Sequence, residues 1–129
     1  MSIIYAIREK EHFTGATGAD PTAVQEAEKA LGLQFADEYR EYLLTFGIAS
    51  YRGHELSGIC KSDRLNVVSL TRRQRELVPE VPAEWYVVEQ TNMDGIIIWQ
   101  DQTGSIYATA PGHSPSKISN TMREYICSE

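Results

Sequence analysis

The chain has 129 residues, 42% of them hydrophobic and 23% charged, which is ordinary globular usage. A chain of this size buries roughly two-thirds of its unfolded surface and needs neither a metal nor a disulfide to fold. Twelve basic against eighteen acidic residues leave a net charge of -6. That is the wrong sign for a general duplex binder, whose affinity comes from neutralising phosphates, so a basic partner, or none, is expected.

The N-terminal stretch MSIIYAIREKEHF has neither the basic start nor the small-residue cleavage site of a signal peptide. Its Ile3, Ile4 and Ile7 suit one face of a short helix. Cys60 and Cys127 are then expected as reduced thiols in a cytoplasmic protein. A Gly/Thr/Ala connector follows and ends in Asp20-Pro21, a strong helix start. Asp20 can accept a hydrogen bond from a first-turn amide, and Pro21 sits where its missing N–H costs nothing. Val24, Ala27 and Leu31 recur at helical spacing, and Gly32 supplies the left-handed stop.

A second helix is expected from Asp37 to Gly47, with Phe35, Tyr39, Leu43 and Phe46 turned inward. The short break between the two helices resembles the punctuation of a helix-turn-helix DNA reader. The polar face of the second helix nevertheless offers Asp37, Glu38 and Glu41 against a lone Arg40, which disfavours phosphate.

Beyond Gly47 the period changes. Residues 51–59 read as a short strand or irregular pair, and LNVVSL (65–70) as a β-branched strand. TRRQREL is expected as a short exposed helix halted by Pro79 and Pro82. The strongest strand run begins at Trp85–Val88. Asp94-Gly95 marks a tight turn before IIIW, and Asp101 and Gly104 flank a turn before SIYATA. A final helix is expected to carry Ile118, Met122, Tyr125 and Ile126. Helices at both chain ends around a run of strands predict an α+β fold, helices packed on a mainly antiparallel sheet, as a single domain over 1–129.

Catalytic signatures are missing. GHELSG begins like a zinc-protease helix, but no second histidine follows one turn later to share its face. The acids of 94–104 lack the spacing of a calcium loop and suit hairpin turns instead. There is no G-x-S-x-G elbow, no phosphate-binding glycine signature and no recognisable cysteine-protease context. No cofactor is implied. Residues 51–80 are the one locally basic stretch, with six basic and four acidic side chains. Arg72, Arg73 and Arg75 there fit a solvated helix face, or a small phosphate or acidic-peptide contact. Tyr39, Tyr42, Tyr107 and Tyr125 fall on apolar stripes, their hydroxyls expected at the surface, whereas Tyr51 is a contact candidate.

The order of these features is similar to the SUKH superfamily over roughly residues 20–127. The residues that carry the likeness are the helix pair (EAEKALGLQFADEYREYLLTFG), Gly53-x-Glu55 with Gly58-Ile59, and Asp94-Gly95 followed by Gly104-x-Ile106-Tyr107. One departure is Ala36, where the family has proline before the second helix; Asp37 is expected to cap that helix instead.

The resemblance implies an α+β fold and a non-catalytic role. Bacterial members bind and neutralise the toxin domain, often a nuclease, of a polymorphic toxin system. The expected function is therefore an immunity protein that occludes a basic toxin domain, with no direct nucleic-acid or membrane partner. Two alternatives stand beside it: a general interaction or regulatory module, as in the related fungal cell-wall regulator, and a small-ligand or hydrolytic domain with a cleft near His54, Glu55 and Asp94. For partner contact, the candidates are Asp37, Glu38, Glu41, Tyr51, Glu55, Asp94 and Asp101.

Overall fold

The computed structural model describes residues 2–128. The first helix, α1 (Ile3–Arg8), is started by the Ser2 side chain, which accepts from the Tyr5 amide, and it buries Ile3, Ala6 and Ile7. After β1 (Thr14–Gly15) comes α2 (Pro21–Leu31), capped as expected: Asp20 Oδ1 accepts from the Ala23 amide at 2.8 Å. Gly32, at φ 66°, ends it in the left-handed conformation. The third helix, α3 (Asp37–Phe46), buries Tyr39, Tyr42, Leu43 and Phe46.

Its start differs from expectation. Ala36 is the N-cap and makes no side-chain cap, while Asp37, already the first helical residue, turns out to solvent and pairs with Arg40 at 3.1 Å. Other elements serve the entering backbone instead. Phe35 N donates to Glu28 Oε2 (2.8 Å) and Ala36 N to the Tyr86 hydroxyl (2.9 Å).

Strands β2 (Ala49–Tyr51) and β3 (His54–Glu55) complete a three-stranded antiparallel sheet of order β1-β2-β3. The strand expected over 65–70 is in fact the front of a helix, α4 (Val67–Leu77), which absorbs the expected short helix as well. Asn66 decides it. Its Oδ1 accepts from Val68 N (2.9 Å) and Ser69 N (3.3 Å), and Val67, Leu70, Thr71 and Gln74 then fall on one buried face. A cap plus burial outweighs the β preference of two valines, which is worth well under 1 kcal/mol per residue.

A four-stranded antiparallel sheet follows: β4 (Tyr86–Gln90), β5 (Ile97–Gln100), β6 (Ile106–Ala110) and β7 (His113–Ser119), in that order. Ile118, expected in the last helix, lies on β7 and is exposed. The helix proper, α5 (Met122–Cys127), starts only after Thr121, whose hydroxyl accepts from Glu124 N at 3.0 Å. A bridge between Leu56 and Glu89 joins the two sheets. Five helices and two antiparallel sheets among the described residues make the fold α+β. No helix there is long and apolar enough to cross a membrane.

Strand alternation splits the core in two. Tyr86, Val88, Ile98 and Ile106 meet the apolar faces of α1, α2, α3 and α5. Trp85, Val87, Ile97 and Trp99 pack with Leu70 and Val81.

Buried hydroxyls bind α3 to the sheets. The Tyr42 hydroxyl donates to Ser57 O (2.7 Å) and accepts from Ala49 N (3.0 Å). Ser57 Oγ donates to Val87 O (2.7 Å), so its other contact, with the Tyr39 hydroxyl at 2.7 Å, must be donated by Tyr39. Burial pushes the Tyr39 phenol well above its usual range, against the pull of the Ser57 bond, which keeps that donor protonated. The expectation that the Tyr39 and Tyr42 hydroxyls reach the surface fails because the Ser57 hydroxyl and backbone groups, rather than water, satisfy them.

Beside Ser57 the chain passes so close to the end of α3 that a Cβ on Gly58 would lie 2.0 Å from Gly47 O. Gly58→Ala therefore requires a backbone shift and should cost more than about 3 kcal/mol in urea unfolding. Tyr42→Phe strands the Ala49 amide and one Ser57 carbonyl contact, for a loss of about 1–3 kcal/mol at unchanged m-value. A loss below about 0.5 kcal/mol for Tyr42→Phe would contradict this role.

Candidate functional site

The seven contact candidates separate into exposed, engaged and buried groups. Asp37 and Glu41 are exposed one turn apart on the outer side of α3, followed by Leu44, which is 44% exposed. Arg40, the base between them, is turned toward α2 and held by Glu28 at 2.7 Å as well as by Asp37. This outer stripe therefore carries acid with its one cation already neutralised.

Glu38 is engaged in the fold. Its Oε1 accepts from Gln100 Nε2 (2.7 Å) and Met122 N (2.5 Å), and its Oε2 from Arg123 N (3.3 Å). One carboxylate thus ties α3 to β5 and to the first turn of α5, where the helix dipole favours negative charge. Offering it to a partner would open that junction. Tyr51 is 1% exposed, its ring stacked on His54 at 5.1 Å, so it belongs to the core and not to a contact surface. Sequence neighbours Arg52 and Gly53 suggested exposure, but β2 turns the tyrosine inward.

Glu55 is held by Arg64 through two bonds of 2.8 and 3.2 Å. Those bonds lower its carboxyl pKa, against a smaller opposing effect of burial. Asp94 stands exposed at the β4–β5 turn with φ 55°. Asp101 organises the β5–β6 turn. It accepts from Thr103 Oγ1 (2.6 Å), Thr103 N (3.0 Å), Ser105 N (3.2 Å) and the Tyr107 hydroxyl (2.8 Å).

Asp94 and Asp101 bracket β5 at opposite ends, so they do not form one face. Asp101 instead sits near the start of α3, because Gln102 Nε2 donates to Gln34 Oε1 (2.7 Å) and Gln100 bridges Gly104 O and Glu38.

One polar cluster escaped the sequence reading. Glu89 is 1% exposed, and its oxygens meet His54 Nδ1 at 2.7 Å and the Tyr125 hydroxyl at 2.6 Å. It fastens β4 to β3 and α5. A lone acid inside the apolar run YVVEQ was the signal available. The arginines of α4 are largely structural: Arg72 donates to Ala30 O (3.0 Å), and Arg75 to Ala83 O and Trp85 O. Arg73 is exposed.

Asp101 supplies a pH test. Burial alone would raise its carboxyl, but the four hydrogen bonds together outweigh that and hold it below the ordinary value. A depressed folded-state pKa gives stability that is present above the unfolded value, about 3.9, and lost as pH falls through the folded one. The stability gap between wild type and Asp101→Asn should be steady near neutrality and shrink below about pH 4. Urea melts across that range check it; a gap independent of pH would remove the carboxylate from this role.

A family model described as SMI1-KNR4 cell-wall, SUKH_5, matches residues 2–128. A search of curated proteins found no match. The family match spans nearly the whole length, and the two antiparallel sheets with their packed helices are consistent with it; in the structure the Gly-x-Glu and Asp-Gly segments lie at β3 and the β4–β5 turn. The chain belongs to the SUKH (SMI1–KNR4) family.

Proposed function

We propose that this SUKH domain is an immunity protein: it binds a cognate toxin domain, a nuclease, and blocks it by occupancy without chemistry of its own. The observation that carries the reading is the family match over residues 2–128, since the family is generally non-catalytic and commonly of the immunity type. The charge supports it. A nuclease holds phosphate, so its active face is basic, and a protein of net charge -6 is drawn toward such a face.

The outer stripe of α3 supports it more locally. Asp37 and Glu41 face solvent, and Arg40 is drawn away to Glu28. Exposed carboxylates of this kind, Glu41 and the solvent-facing Asp37 with its one bond to Arg40, act mainly on the encounter rate and its salt dependence.

Co-expression with the C-terminal domain of a neighbouring large toxin gene tests the reading. The wild-type protein should restore growth and bind that domain; failure on both counts removes the immunity role. Asp37→Lys with Glu41→Lys should slow association by about tenfold at low salt, with the difference fading as salt screens it. Stopped-flow association over a salt series measures this, and an unchanged rate would take α3 out of the interface.

A further inference from the structure

The exposed acids account for steering but not for tight retention, because solvated ion pairs contribute little. Lasting occlusion needs a desolvated anchor. A concave surface away from α3 meets that need. The end of α4, strands β5 and β6 and the β6–β7 tip enclose a groove of about 800 Å³. That volume lies within the range of binding clefts.

Its floor is Ile97 and Thr109, and its walls include Leu77 and Pro115. Leu77 is 69% exposed, an apolar side chain held in water at the groove's edge. Gly95, at φ 71°, lets Pro111 approach so closely that a Cβ there would lie 2.9 Å from two of its ring carbons, which brings the two hairpin tips into contact.

Charge selects the occupant. Glu80 lines the groove and Asp94 stands next to Gly95, whereas no lysine or arginine is among the residues that line it. His113 is its one basic group. An acidic ligand would find no lysine or arginine among the lining residues, but a basic protein segment would find carboxylates beside the apolar Ile97 and Leu77.

We infer that this groove is the anchor site for the toxin domain. It takes a segment that places one apolar side chain over Ile97 and Leu77 and a flanking lysine or arginine toward Glu80 and Asp94. The assignment rests on the immunity reading and adds a location and a chemistry to it. Approach along the acidic surface and retention in the groove are then separate functions of separate residues.

Leu77→Arg and Ala110→Arg test it by isothermal titration with the toxin domain, after circular dichroism has confirmed the fold. Each should weaken binding at least tenfold and raise dissociation more than it lowers association. Hydrogen exchange on the unmutated complex should show protection at 74–80 and 109–115. Wild-type binding that both variants match within twofold, with no protection there, overturns the groove and leaves the immunity reading standing. No binding by the wild type overturns both.

Discussion

Ser57 is the point on which the two halves of the fold depend. Its amide and hydroxyl bond to Val88 O and Val87 O, which places the 53–59 segment along β4. Its hydroxyl and carbonyl also receive Tyr39 and Tyr42, which fixes the rotation of α3 over that segment. Each bond by itself is worth about 1 kcal/mol net. Leaving any of these groups unpaired in a dry interior costs more than making it gains, so the network specifies one arrangement more than it adds stability. Gly58 has to follow directly, because only a residue without a Cβ passes Gly47 at that distance. The Ser-Gly of GHELSGI is thus a packing requirement.

A second polar chain continues from the same helix. Ala36 N donates to the Tyr86 hydroxyl, which donates to Gln100 Oε1, and the Gln100 amide donates in turn to Glu38. Glu38 closes the chain on the first turn of α5. Strands β4 and β5 therefore reach α3 and, through Glu38, α5 by bonded side chains as well as apolar contact. Ala36 contributes only its backbone here, because the amide serves Tyr86 instead of a local cap. A proline at that position would lack the donor, so the alanine and the Tyr86 hydroxyl form a matched pair in this chain.

Much of the fold was legible because its signals are local. Asp20-Pro21, Gly32 and Asp94-Gly95 each fix a few dihedral angles by their own chemistry, and all lie where the sequence placed them. LNVVSL misled because two valines and a leucine look like a strand until Asn66 is recognised as a helix cap. Ile118 misled because an apolar residue near the chain end suggested a helix face, whereas β7 leaves it exposed on an outer strand. The candidate site was less legible for a physical reason: a carboxylate's availability depends on partners far away in sequence. Glu38 and Glu41 lie less than one turn apart, yet residues at 100 and 122 capture one and leave the other in solvent. Nor could the groove be read, since its lining comes mainly from two stretches, 74–80 and 109–115, that are far apart in sequence and meet only across the sheet.

This arrangement limits how charge can serve binding. Of the acids on and around α3, Glu28 is consumed by Arg40, Glu38 by α5 and Asp101 by its own turn. The net charge of -6 therefore overstates the number of carboxylates able to meet a partner's cations directly. Carboxylates already bonded inside the fold still add to the long-range field, because a neutral amide donor does not cancel their charge. Glu38 and Asp101 can thus draw a basic surface toward the protein without touching it, and Arg40 subtracts from that field while it orders the helix pair. Attraction at a distance and contact at the surface consequently fall to different residues. An apolar groove with two acids beside it supplies what the field cannot, a place where approach ends in desolvation.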